Sequence, residues 1–136
     1  MKEMKITTTM LGDELYEAVN EDHHQVTIDM RPRGLKSGQS PTELLLSALS
    51  GCAAVDIVMM LKKRRKRIEK FEIGVEGTRQ ETDPRYYTAI HSHYLITSPD
   101  VTEEELQKVA DLALNKYCSV GASLKSKLTF SVEVRR

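Results

Sequence analysis

Ser40-Pro41-Thr42-Glu43-Leu44-Leu45-Leu46-Ser47-Ala48-Leu49-Ser50-Gly51-Cys52-Ala53-Ala54-Val55-Asp56-Ile57-Val58-Met59-Met60-Leu61 is the stretch whose reading decides the fold. A serine, a proline in the first helical position and a glutamate three places after the serine make a capping box, so a helix begins at Pro41. From Leu44 to Leu61 only Ser47, Ser50, Gly51 and Asp56 interrupt the apolar run. Such a helix is apolar on every side and must be covered on most faces. Its length touches the lower limit of a membrane span, and the basic run Lys62 to Arg67 behind it resembles a cytoplasmic anchor. Asp56 in mid-run would cost about 3 kcal/mol in lipid. No second hydrophobic segment appears, and the reading is a core helix with no membrane partner.

Outward from this helix the pattern changes period. Upstream, Lys5 to Thr9, Glu14 to Val19 and Gln25 to Ile28 are short strand-like runs separated by Gly12-Asp13 and Asn20-Glu21-Asp22, which predicts a three-stranded meander. Pro32, Gly34, Ser37 and Gly38 make Arg31 to Gln39 a loop. Downstream, Ile68 to Thr82 and Tyr86 to Thr97 alternate like the arms of a long hairpin around Asp83-Pro84. Thr102-Glu103-Glu104-Glu105 is a second capping box, and Leu106, Val109, Ala110, Ala113, Leu114 and Tyr117 follow on one helical face ending near Cys118. A short helix fits Ser119 to Ser126, and Leu128 to Val134 closes the chain as a strand. The order β-β-β-α-β-β-α-β is an α+β class with mostly antiparallel pairing. At 136 residues and 40% hydrophobic content, one domain over residues 1–136 is expected. A helix apolar all round needs more cover than one such domain supplies, which predicts a homodimer with two copies of that helix packed together.

Lys plus Arg equals Asp plus Glu at 20 each, so no overall field favours nucleic acid, acidic ligands or membrane surfaces. The run Lys62 to Arg67 is the one local argument for a nucleic-acid partner. It is also what the exposed carbonyls of a helix end attract, and nucleic acid is not expected. The charged opening Met1-Lys2-Glu3-Met4-Lys5 lacks a signal-peptide core, so the expected location is cytoplasmic. Two cysteines in a reducing compartment read as free thiols or a transient redox pair. They are too few for a cysteine zinc site, and His23-His24 and His91-x-His93 lack finger spacing; no metal or cofactor is expected. Cys52 reads either as an inert buried hydrophobe or as a reactive thiol. Cys118 stands before Ser119-Val120-Gly121, where the first amides of a short helix would favour its thiolate. Asp56 lies one turn beyond Cys52. His91 and His93 share one strand face while Tyr94 takes the other.

The stretch from Ser40 to Cys52, a proline followed by an acidic helix start with a cysteine eleven residues beyond the proline, resembles the signature helix of the OsmC/Ohr family. Tyr117-Cys118-Ser119-Val120 resembles that family's second cysteine motif, and the element order agrees over nearly the whole chain. The resemblance implies an intertwined homodimer with the long helices at its centre and sites at the subunit interface. It implies a thiol peroxidase reducing organic hydroperoxides in oxidative-stress defence. Cys52 would attack, Cys118 would resolve, and a dithiol reductant would restore the pair. In the family a glutamate directly follows the proline. Here Thr42 does, and the candidate Glu43 comes one place later, about 100° around the helix. No arginine precedes Arg31, so Arg31 or Arg33 would have to replace the family's activating arginine. These departures point to a divergent branch. They leave a second reading, a non-catalytic dimer that binds a small apolar ligand.

Overall fold

The structure, a computed structural model, describes residues 3–136. The chain divides into two compact units, the first ending at Leu45 and the second running from Leu46 to Arg136.

The first unit is a meander of β1 (Ile6–Gly12), β2 (Leu15–Asn20) and β3 (Gln25–Asp29), antiparallel in that order. Its turns are built from side chains. Glu14 takes a left-handed φ of 62° in the first, and Asn20 Oδ1 accepts the amides of Asp22 and His24 at 3.0 and 2.9 Å in the second. The loop after β3 is anchored on Asp29, whose side chain is fully buried. Its two oxygens accept from Arg31 Nε at 3.0 Å, Arg31 Nη2 at 2.8 Å and the Ser37 amide at 2.7 Å. A single 3-10 turn, Arg33–Leu35, bridges the gap. The Asp29 amide then donates to Gln39 O at 3.0 Å, which lays the end of the loop along β3. Gly38 is required at that approach, since a Cβ there would stand 2.9 Å from the Thr27 carbonyl oxygen.

α1 spans Pro41–Lys63 and starts where the capping box places it. In the second unit its residues Leu49, Ala53, Ile57 and Leu61, one turn apart, form a fully buried stripe. It stops in a Schellman motif: Lys66 N–H donates to Leu61 O at 3.0 Å and Arg65 N–H to Lys62 O at 2.9 Å, with Arg65 at φ 60°. A sheet follows, ordered β4 (Lys70–Arg79), β5 (Tyr87–Thr97), β6 (Lys127–Arg135). The β4–β5 hairpin is antiparallel, but β6 runs parallel to β5 because the intervening helices carry the chain back across the sheet. Ile90, Ser92, Tyr94 and Ile96 alternate into the core, where Leu106, Val109 and Ala110 of α2 (Glu103–Leu112) join them. The second helix does not run unbroken to Cys118. It widens into a π-helical turn over Ala113–Tyr117, and α3 (Ser119–Ala122) begins after Cys118. The basic run stitches the end of α1 to the start of α2. Arg64 and Lys66 each pair with Glu105 at 3.4 Å, and the Arg67 amide donates to Asp100 Oδ1 at 3.0 Å.

Candidate functional site

The π turn sets Cys118 at the junction into α3, with an extended ψ of 105° that ends one helical segment and opens the next. As the cap of α3, its Sγ accepts the Gly121 amide at 3.3 Å. Gly121 is fitted to this spot, since a Cβ there would meet Leu128 Cδ1 at 3.2 Å and Cys118 Sγ at 3.5 Å. Cys118 is buried and Cys52 half-buried, and both are free thiols. The structure brings the two toward each other across 66 positions of sequence: Cys52 packs against the core cluster that contains Cys118 and is near enough to act on its thiol. Burial pushes the Cys118 thiol up from its ordinary value. The Gly121 amide opposes that shift and Cys52 adds to it.

Cys52 borders an apolar strip that the chain leaves uncovered. Ala48, Cys52, Val55 and Met59 recur at helical spacing on one side of α1, nearly opposite the buried stripe, and Val55 and Met59 are 59% and 51% exposed. Asp56 is half-buried one turn beyond Cys52. Glu43 serves the helix start: its Oε1 accepts the Ser40 amide at 3.0 Å and the Ser40 hydroxyl at 2.9 Å, and these bonds hold its carboxyl below the usual range. Arg31 is committed to Asp29, and Arg33 is exposed on its 3-10 turn.

Sequence reasoning overlooked two features of the second unit. Tyr94 is buried with 0% exposure between Phe71 and Phe130, at ring-centroid distances of 6.3 and 6.2 Å. Its hydroxyl makes no hydrogen bond. Alternation along β5 sends Tyr94 inward, but nothing in the sequence reveals a missing partner. The second feature is a polar ladder on the opposite face of the sheet. His91 Nδ1 meets Thr129 Oγ1 at 2.8 Å, and Ser131 Oγ lies 2.9 Å from His91 Nε2 and 2.6 Å from His93 Nδ1. His93 Nε2 reaches Glu133 Oε1 at 3.1 Å. Only the parallel register, His91 opposite Thr129 and His93 opposite Ser131, exposes this arrangement. Every ring nitrogen of the two histidines is engaged. Among the described residues no group of three or more His, Cys, Asp or Glu is placed to hold a metal ion.

Residues 34–133 match the family model described as OsmC-like protein. The chain is 35% identical over 113 residues to Protein YhfA of Escherichia coli K12, covering 82% of this chain and 83% of that one. It is 29% identical over 138 residues to the hydroperoxide reductase of Mycoplasma pneumoniae, covering 98% and 96% of the two. Among solved structures, an OsmC-like protein from Mycoplasma pneumoniae superposes with a TM-score of 0.85 at 25% identity, over 99% of each chain.

Proposed function

Starting from the chain's membership of the OsmC-like protein family, we propose that it is a two-cysteine thiol peroxidase that reduces organic hydroperoxides in peroxide defence. The observation that carries this reading is the meeting of Cys52 and Cys118 as free thiols at one place in the second unit. The hydroperoxide reductase of Mycoplasma pneumoniae, similar over nearly its whole length, supports the reaction class.

The difference in burial supports the roles that the family resemblance implies. Half-buried Cys52 can meet a hydroperoxide more readily than buried Cys118. The Cys52 thiol gives up its proton, the thiolate attacks the hydroxyl oxygen of the peroxide, the O–O bond breaks, and the alkoxide takes up one proton in its place and leaves as an alcohol while Cys52 becomes a sulfenic acid. Cys118 then attacks the Cys52 sulfur, the S–O bond breaks, and its thiol proton leaves with the departing oxygen as water. A dithiol reductant of the cytoplasm returns the resulting disulfide to two thiols. The apolar strip Ala48, Val55 and Met59 beside Cys52 suits the organic half of the substrate and the close approach of a second copy. The working form is a homodimer joined through that strip.

The test separates the two roles. With Cys52→Ser, hydroperoxide consumption falls to background. With Cys118→Ser, one equivalent is still consumed and a dimedone-trappable sulfenic acid accumulates on Cys52. Undiminished turnover in Cys52→Ser overturns the proposal, and a protein that consumes no hydroperoxide but retains an apolar molecule in native mass spectrometry would be a ligand-binding dimer.

A further inference from the structure

The polar ladder across β5 and β6 has a direction, and its hydrogens can be placed one by one. Glu133, whose carboxyl is held below the usual range by the hydrogen bond from His93 and then by Arg135, is an ionised acceptor at neutral pH. A neutral His93 therefore carries its one ring proton on Nε2, 3.1 Å from Glu133 Oε1, which leaves a lone pair on Nδ1. Nδ1 lies 2.6 Å from Ser131 Oγ, so the serine hydroxyl donates to it. With its hydrogen used there, Ser131 Oγ accepts from His91 Nε2–H at 2.9 Å, and His91 Nδ1 accepts the Thr129 hydroxyl at 2.8 Å. A serine that donates to an imidazole oriented by a carboxylate is the arrangement that makes a hydroxyl nucleophilic. The site is also open. The His93 and Glu133 side chains are 41% and 43% exposed, and Ser131 is half-buried. On the other side of His93 the paired residue of β4 is Gly74, where an added Cβ would meet nothing within 4 Å. An acyl group has room above the sheet there.

We propose that Ser131, His93, Glu133 and His91 form a second reactive site on this exposed sheet face, independent of the cysteines, at which Ser131 is acylated by short-chain carboxylic esters with good leaving groups. Ser131 Oγ attacks the ester carbonyl carbon as its proton passes to His93 Nδ1, and Glu133 stabilises the imidazolium through Nε2–H. His91 Nε2–H, released from Oγ, donates to the carbonyl oxygen as that oxygen gains negative charge. The tetrahedral intermediate collapses, the bond to the leaving oxygen breaks, and that oxygen takes the proton from His93 Nδ1. Water then attacks the acyl-serine carbonyl by the same route, giving a proton to His93 that returns to Ser131 Oγ, and the carboxylic acid departs. A single oxyanion donor on an open sheet face limits the reaction to small acyl groups whose alkoxide or phenolate leaves readily. Ser131, His93 and His91 touch the reacting atoms, whereas Glu133 is a positioning residue that sets the His93 tautomer.

The experiment uses the full chain carrying Cys52→Ser and Cys118→Ser, so that no thiol competes for the acyl group. A fluorophosphonate probe should add to the tryptic peptide Leu128–Arg135, with fragmentation placing it on Ser131. Burst hydrolysis of p-nitrophenyl acetate should leave an acetyl group on the same residue. Ser131→Ala should abolish both signals. His93→Phe, which removes the base, and His91→Phe, which removes the oxyanion donor, should each slow labelling about a hundredfold. Glu133→Ala should slow it as well, and Glu133→Gln, whose amide oxygen can still accept from His93 Nε2, should recover part of the rate. A ladder that only fastens β5 to β6 would give no such rescue of labelling. A parent chain in which Ser131 takes up no probe, or labelling that His93→Phe leaves unchanged, would overturn the assignment. Hydroperoxide consumption bears only on the cysteine reading, so the two proposals stand or fall separately.

Discussion

At the scale of single residues, Asp29 and Cys118 show how burial acts on opposite kinds of partner. Asp29 is fully buried yet held far below the usual carboxylate range, because the Arg31 guanidinium and two backbone amides outweigh its desolvation. An acid depressed in the folded state stabilises the fold above its unfolded value near 3.8, and that contribution drains away as pH falls toward the folded value. Asp29→Asn should therefore lower stability at neutral pH and make acid unfolding shallower, read by circular dichroism from pH 7 downward. Cys118 has the Gly121 and Val120 amides but no cation, and burial wins. Both cysteines were legible from the sequence as candidates. Tyr94 was not, because a tyrosine on the inward face of a strand reads as core and only coordinates reveal an unpaired oxygen. Glu43 was legible as a cap and, one place beyond the family's position, as a candidate for its glutamate, and the structure engages it as the cap.

At the scale of elements, sequence reading did best where a local rule acts alone. Ser40, Pro41 and Glu43 announced the start of α1, and Thr102 announced α2, where its side chain accepts the Glu105 amide as a capping box requires. It did less well where a distant partner decides. The parallel pairing of β6 depends on the path of the chain through α2 and α3, and the ladder from His91 to Glu133 was hidden for that reason. The π turn at Ala113–Tyr117 leaves no sequence signal, yet it positions Cys118. The end of α1 offers a test of local strain. Arg65 occupies the left-handed position that glycine fills at little cost. Arg65→Gly should raise stability by about 0.5–1 kcal/mol in urea unfolding, the strain relieved exceeding the added freedom of the unfolded chain.

At the scale of the whole molecule, the question is what covers the apolar surface that one chain leaves open. In the second unit Val55 and Met59, one turn apart on α1, stand exposed. A second copy is the cover we propose, and light scattering should give about twice the chain mass of 15.4 kDa. Val55→Glu, at a position exposed in the single chain, should yield a folded monomer by circular dichroism and light scattering; an unchanged dimer would place the interface elsewhere. The apolar excess of α1 was legible from the sequence, which could not show which of its sides the sheet would take. The measurement that bears most directly on the central claim is a thiol count with intact mass after one equivalent of tert-butyl hydroperoxide meets the fully reduced protein. The account predicts loss of both thiols and a mass lower by two hydrogens, with Cys52 and Cys118 linked in the peptide map. Survival of both thiols, or oxidation that leaves Cys52 and Cys118 unlinked, would contradict it.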